Sequence, residues 1–321
     1  MEFFAVLLFA AGLILLVALH ELGHIVAGKL VGFRFHSIQV GPFRLSKTTT
    51  GFHFGLTSTL WAGGLASMLP QNPQDLVKRY RWFAAGGPIA SFLPVIPCVI
   101  GTIYENKLAA LLLLPSIMGL MGSATPRGMG EDDDLKSDGE IIAESFREPE
   151  QLRRKLLLWS VFAAWESGER PRDWPIHMLD NLNASELEGE QLLAVYLLRY
   201  YHQIDADRLR EALAEIAAAF AVNLDEPNNS FAMMALLEAA YAHARSGDAV
   251  LARARLQQAE TPEHLERIRL RAEAAVLFAE GKGDASKEVA ERARAQIKAH
   301  PPLESFDEAE LEMIEAIFGT P

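Results

Sequence analysis

From Phe3 to Leu19 the chain carries no charge, and the next five residues are His20-Glu21-Leu22-Gly23-His24. The run continues apolar to about Val31, long enough to cross the hydrocarbon of a bilayer, which takes about 20 residues. Ionisable side chains at the edge of such a segment are costly, and three of them in helical register favour a functional site. The histidines stand four apart and share a helix face. Two imidazoles so placed can bind one zinc ion, with Glu21 beside them reaching a water rather than the ion. Zinc lowers the pKa of that water, the glutamate takes its proton, and the oxygen attacks a polarised carbonyl. Glu21 then protonates the leaving amine. The competing reading is a chance pentapeptide whose histidines hydrogen-bond to neighbouring helices.

Two more apolar segments follow, Trp82–Ile103 and Leu108 to about Pro126. Pro88, Pro94, Pro97 and Pro115 interrupt them, and a membrane helix tolerates such breaks where neighbours satisfy the freed carbonyls. Lys29, Arg34, Arg44, Lys47, Lys78, Arg79 and Arg81 lie between the first and second segments against one acid, Asp75. The positive-inside rule puts this loop in the cytoplasm, the N-terminus outside, and everything after Pro126 in the cytoplasm. Residue 2 is Glu and no small-residue cleavage site precedes His20, so the first segment is expected to be retained rather than removed as a signal peptide. Trp61, Tyr80 and Trp82 fit an interfacial belt.

The 321 residues divide by composition. Basic residues outnumber acidic ones up to Pro126, and the net charge of −12 comes from the residues beyond. That acidic surplus argues against nucleic acid as a partner, since phosphate binding needs a basic face. A single cysteine, Cys98, allows no disulfide framework.

Between the first two apolar segments, Phe33–Val40, Phe43–Leu45 and Phe52–Phe54 read as short strands, with Gly41-Pro42 as a turn and Gly63-Gly64 shortly after. From Glu148 onward the pattern is helical: Gln151–Glu166, Glu190–Tyr201, Ala206–Phe220, Phe231–Arg245, Ala249–Ala259, His264–Glu280, Ser286–Ala299 and Asp307–Phe318. Glu238-Ala239-Ala240…Gly247-Asp248 resembles Glu273-Ala274-Ala275…Gly283-Asp284 at a separation near the tetratricopeptide period. The fold expected is an all-α membrane core of three transmembrane helices with a small membrane-associated β-region, residues 1–145. A cytoplasmic, TPR-like α-helical domain follows, residues 146–321. An irregular helical bundle is the alternative for the second part.

A catalytic zinc takes three protein ligands and one open position. His36, His53, Asp75, Glu105 and the acidic stretch from Glu131-Asp132-Asp133-Asp134 to Asp138 are the candidates for the third. His177, His202, His243, His264 and His300 show no metal spacing.

In order along the chain, four landmarks resemble the site-2 protease family, the intramembrane zinc metalloproteases of peptidase family M50. They are the His-Glu-x-x-His motif, Gly63-Gly64, Ala85-Gly86-Gly87-Pro88-Ile89-Ala90-Ser91 and Ser137-Asp138-Gly139. Gly63-Gly64 is similar to the turn that ends the family's β-region. The third segment is similar to its Gly-Pro-x-Ala-Asn, with Ser91 in place of Asn, and the fourth to its Leu-Asp-Gly. The resemblance rests on roughly the first 145 residues. It implies that His20, His24 and Asp138 hold zinc (Zn2+) and that Glu21 is the base. It also implies a multi-pass protein of a bacterial cytoplasmic membrane that cleaves transmembrane segments of other membrane proteins. Gly139 is expected to permit a tight turn after Asp138. The chain departs from the family at Ser123-Ala124-Thr125-Pro126, where the family has Asn-x-x-Pro, and in a long acidic stretch before Asp138. The partners expected are a membrane-protein substrate, the lipid bilayer, and a protein or second copy docking on the helical domain. The rival reading is a non-hydrolytic scaffold that acts through that domain.

Overall fold

The computed structural model describes residues 2–57, 63–126, 136–182, 187, 189–222, 229–260, 262–299 and 304–319, the side chains of residues 2–5 excepted. Trp61, Glu131 to Asp134 and His300 lie outside the described residues. The chain forms two compact units, Met1–Ser160 and Val161–Pro321.

The first unit begins with α1 (Glu2–Leu30), followed by four strands: β1 (Phe33–Val40), β2 (Phe43–Thr48), β3 (Gly51–Leu56) and β4 (Gly64–Pro70). Then come α2 (Leu76–Ile103), α3 (Lys107–Ala124), α4 (Asp138–Arg147) and α5 (Pro149–Glu166), which runs past Ser160. Among the described residues, three helices are long and apolar enough to span a membrane: Val6–Leu30, Leu76–Ile103 and Lys107–Ala124. α2 starts at Leu76, ahead of its apolar run, and stays helical through all three prolines.

α1 and α2 cross with their backbones in contact. A Cβ on Gly23 would collide with the carbonyl oxygen of Gly86, and one on Gly86 with that of Gly23. Small residues allow this approach in membrane helices, where apolar burial alone does not drive association. At α3, the Asn106 side chain caps the N–H groups of Leu108 and Ala109. The Ser116 hydroxyl donates back to the Leu112 carbonyl at 2.7 Å, so it adds no unsatisfied polar group.

The sheet is antiparallel throughout, in the order β3-β2-β1-β4. Gly41, at φ 55°, and Pro42 make the β1–β2 turn. Sequence patterning anticipates β1, β2 and β3 but not β4. Gly63-Gly64 therefore does not end the β-region; Gly64 opens a fourth strand that returns beside β1, and the Gly41 N–H donates to the Gly63 carbonyl at 3.0 Å. Along β4, Met68, Leu69 and Pro70 are buried, which leaves no alternation to mark the segment as a strand.

The second unit is helical: α6 (Gly189–Asp205), α7 (Leu209–Ala219), α8 (Ser230–Arg245), α9 (Ala249–Gln258), α10 (Glu266–Ala279), α11 (Gly283–Lys298) and α12 (Ser305–Glu315). These agree with the periodic segments to within a few residues at each end. Three hairpin turns share one construction. Asp207, Gly247 and Gly281 take φ values of 56°, 86° and 76° after α6, α8 and α10. The following N–H groups of Arg208, Asp248 and Lys282 reach back to the carbonyls of Gln203, His243 and Leu277 at 2.9 Å each. This is the Schellman arrangement, which satisfies the last carbonyls of a helix and reverses the chain.

Candidate metal centre

The two histidines of α1 face a stripe of α2. His24 Nδ1–H donates to the Phe83 carbonyl at 2.9 Å, and His20 Nδ1 pairs with the Ser91 hydroxyl at 2.8 Å. Between those two partners lies Gly87, where a Cβ would collide with His24 Nε2 and stand 2.6 Å from His20 Cε1. Phe83, Gly87 and Ser91 are four apart, so one face of α2 seats both imidazoles and turns their Nε2 atoms inward.

Asp138 enters from α4. Ser137 caps that helix: its hydroxyl accepts the Glu140 N–H at 3.2 Å and donates to the Thr125 carbonyl at 2.8 Å. Asp138 is therefore the first helical residue, where a carboxylate suits the helix dipole. Gly139 does not have a positive φ. Its role differs from the expected tight turn: a Cβ there would collide with the Ala124 carbonyl oxygen, so glycine lets α4 press against the end of α3. Arg81 of α2 holds the other end of α4. Its Nε donates to Ser145 Oγ at 2.8 Å, its Nη2 to the Ser145 carbonyl at 3.1 Å, and its guanidinium lies 3.5 Å from the Phe146 ring centroid. Glu144 pairs with Lys136 at 3.0 Å and with Lys155 at 3.6 Å.

These elements bring His20, His24 and Asp138 together. The two Nε2 atoms are 3.2 Å apart, and the Asp138 carboxylate oxygens lie 3.1 Å from His20 Nε2 and 3.2 Å from His24 Nε2. The Phe83 carbonyl can only accept, so His24 Nδ1 carries its proton and the neutral ring presents a lone pair at Nε2. Two imidazole nitrogens and a carboxylate suit zinc, whose tetrahedral sites have bonds of about 2.0–2.1 Å and hence edges of about 3.3 Å. The separations of 3.2, 3.1 and 3.2 Å lie close to those edges.

Glu21 is buried beside this cluster and under β4. Its carboxylate takes a hydrogen bond from the Ala66 N–H, and a Cβ on Gly64 would lie 2.5 Å from its Oε1. A cavity of about 800 Å³ opens at the cluster, lined by Leu13 and Val17 of α1, Pro94 of α2, Gly119 and Ser123 of α3, and Ala66 of β4.

Residues 8–309 match peptidase family M50. The chain belongs to that family. No match was found among curated proteins or solved structures. The family match extends well past the first 145 residues on which the sequence resemblance rests. Membership makes this M50 protein a metalloprotease of the site-2-protease type at the level of the family.

The other third-ligand candidates lie elsewhere. His36 is buried in β1 with its ring against Trp159, and His53 pairs with Thr50 Oγ1 at 2.7 Å. Asp75 precedes α2 in a left-handed conformation, and Glu105 sits in the α2–α3 turn at φ 59°. Among the described residues, His20, His24 and Asp138 form the one group of three metal-capable side chains. Sequence reasoning did not foresee the Phe83 carbonyl, the gap at Gly87 or the Ser91 contact with His20. The four-residue spacing of Phe83, Gly87 and Ser91 was visible, but what faced it was not. Ser123 lines the cavity and donates to the Leu120 carbonyl of its own helix at 3.2 Å.

Proposed function

We propose that this M50 protein is an intramembrane zinc metalloendopeptidase that hydrolyses peptide bonds in or near transmembrane segments of other membrane proteins. The observation carrying the reading is the convergence of Asp138 on His20 and His24, with Glu21 beside them, within a helix of membrane-spanning length. His20 and His24 through Nε2 and Asp138 through its carboxylate would hold the zinc. Bound there, zinc supplies Lewis acidity, which polarises a carbonyl and makes water acidic enough to be deprotonated near neutrality.

The chain's own residues do the rest. Glu21 takes the proton of the attacking water and delivers it to the leaving amine. The Phe83 carbonyl and the Ser91 hydroxyl fix the two rings, so no reorganisation is needed at the moment of reaction. A transmembrane substrate hides its amides in helical hydrogen bonds, and β4 beside Glu21 offers strand pairing to an unwound stretch. On the sheet, Phe43 is paired with Leu56 and Lys47 with Phe52, so Phe43, Phe52, Phe54 and Leu56 fall on one face, and all four are exposed. Such a face suits a membrane surface. In the proposed topology the basic Lys29–Arg81 loop and the helical unit are cytoplasmic. The repeated hairpin turns of that unit support a TPR-like module for substrate, adaptor or a second copy.

The test is reconstitution of wild type and Glu21→Gln with reporter membrane proteins that accumulate in membranes of a Glu21→Gln strain. Wild type should cleave them and Glu21→Gln should not, with zinc retained in both. Equal cleavage by the two forms overturns the proposal.

A further inference from the structure

We propose that Ser91 is a positioning residue for the metal site: its hydroxyl accepts the His20 Nδ1–H and holds the ring with Nε2 turned to the metal. The inference rests on the zinc-site reading above and assigns a residue to it. The observations are geometric. Ser91 is buried at 8% exposure, and its Oγ lies 2.8 Å from His20 Nδ1. Its helix also carries the Phe83 carbonyl, which performs the same service for His24 Nδ1–H. The two histidines thus have equivalent partners two helical turns apart on α2, one from the backbone and one from a side chain. Gly87, midway between them, leaves the space in which the two Nε2 atoms meet.

The two partners differ in what they enforce. A carbonyl can only accept, so His24 has no choice of tautomer. A hydroxyl can accept or donate, so Ser91 orients the His20 ring without dictating its tautomer; with Nε2 turned to the metal, Nδ1 carries the proton and Ser91 accepts it. This accounts for serine at a position where the resembling segment has asparagine: the amide oxygen of an asparagine can accept the same Nδ1–H. Ser123, the other serine that stands for an asparagine, bonds to a carbonyl of its own helix and has no contact of this kind with a histidine among the described residues.

Outer partners of metal-binding histidines typically contribute roughly 10–100-fold to metal affinity. The experiment measures zinc affinity of the purified full chain by chelator competition, and the visible spectrum of its cobalt form, for wild type, Ser91→Ala, Ser91→Asn and Ser123→Ala. Alanine is a stronger helix former than serine, so Ser91→Ala preserves the helix. The expected result has three parts. Ser91→Ala binds zinc roughly 10–100-fold more weakly with an altered cobalt spectrum. Ser91→Asn restores most of the affinity, and Ser123→Ala matches wild type. Ser91→Ala binding as tightly as wild type overturns the inference, and so does an equal loss in Ser91→Ala and Ser123→Ala. A wild-type chain that binds no stoichiometric zinc overturns the zinc-site reading itself, a result distinct from either.

Discussion

Each unit of this molecule buries a cluster of ionisable side chains, and the two clusters resolve their charges in opposite ways. In the first unit two imidazole nitrogens and a carboxylate face one another, with no lysine or arginine paired to them among the described residues. In the second, Arg271 is fully buried and supplies the cation from within. Its Nη2 donates to Glu238, its Nη1 lies 3.5 Å from Glu310, and its guanidinium stands 4.6 Å from the Tyr241 ring. Tyr200 and Tyr201 donate to the Glu238 carboxylate. Burial pushes the Glu238 carboxyl up, with Arg271 opposing. Buried charge alone therefore does not mark a metal site. The mark is convergence of lone pairs on one point with every outward-facing donor already committed. The second cluster has no such point; it is a structural knot that ties α8, α10 and α12 together.

Glu21 separates the two kinds of cluster most sharply. Glu21→Gln removes the proton carrier and leaves the three converging atoms in place. Cleavage should fall by about 10²–10⁴-fold, the range for a lost general acid–base group, with zinc stoichiometry unchanged. Loss of zinc together with activity would instead make Glu21 part of the metal's own shell.

Arg271 should show the reverse pattern. Arg271→Met leaves two buried carboxylates without a cation, which costs about 3–5 kcal/mol. Denaturant unfolding should show that loss in the helical unit, with zinc stoichiometry unchanged. The triple variant Arg271→Met, Glu238→Gln, Glu310→Gln should recover much of it, because removing every member of a buried ionic group is far less damaging than removing one. Failure of the triple variant to recover would mean that the knot contributes more than mutual neutralisation.

Arg81 gives a smaller effect. It clamps α4, the helix that carries Asp138, through two hydrogen bonds to Ser145. Hydrogen bonds from a charged donor are worth about 1.5–3 kcal/mol. Arg81→Ala should weaken zinc binding roughly tenfold by loosening Asp138, with the histidine contacts intact. Unchanged affinity would show that Ser137 and Gly139 hold α4 by themselves.

The two clusters were not equally legible. His20 and His24 could be paired from sequence because four residues make one helical turn, a local rule. Asp138 was singled out by resemblance, and Gly139 for a turn that it does not make; the press of α4 on Ala124 is a tertiary fact. Gly87 and Ser91 stood in a recognised segment, yet their roles depend on how α2 crosses α1. β4 was missed because its buried residues do not alternate. Arg271 was the least visible. In Arg267-Ile268-Arg269-Leu270-Arg271 an arginine reads as solvated, and only the packing of α8 and α12 around α10 buries it.

The contact expected to matter least tests whether burial is what separates these clusters from ordinary ion pairs. Arg253 and Glu280 form a two-pronged pair at 2.6 and 2.8 Å, and Lys282 adds a third contact at 2.9 Å. The geometry rivals that of the Arg271 knot, but the pair lies at the half-buried turn after α10. Hydrogen bonds from Arg253 and then Lys282 bring the Glu280 carboxyl down to about 2 from 4.5. A lowered carboxyl stabilises the fold above its unfolded value, and that contribution drains away as pH falls from about 4.5 through about 2. Solvent screening limits the whole contribution to about 1 kcal/mol or less. Wild type should therefore lose at most about that much more stability than Glu280→Gln between pH 6 and pH 2.5, measured by denaturant unfolding of the full chain. A loss approaching that of Arg271→Met would mean that pairing geometry, rather than exclusion of water, sets the strength of charge clusters in this protein.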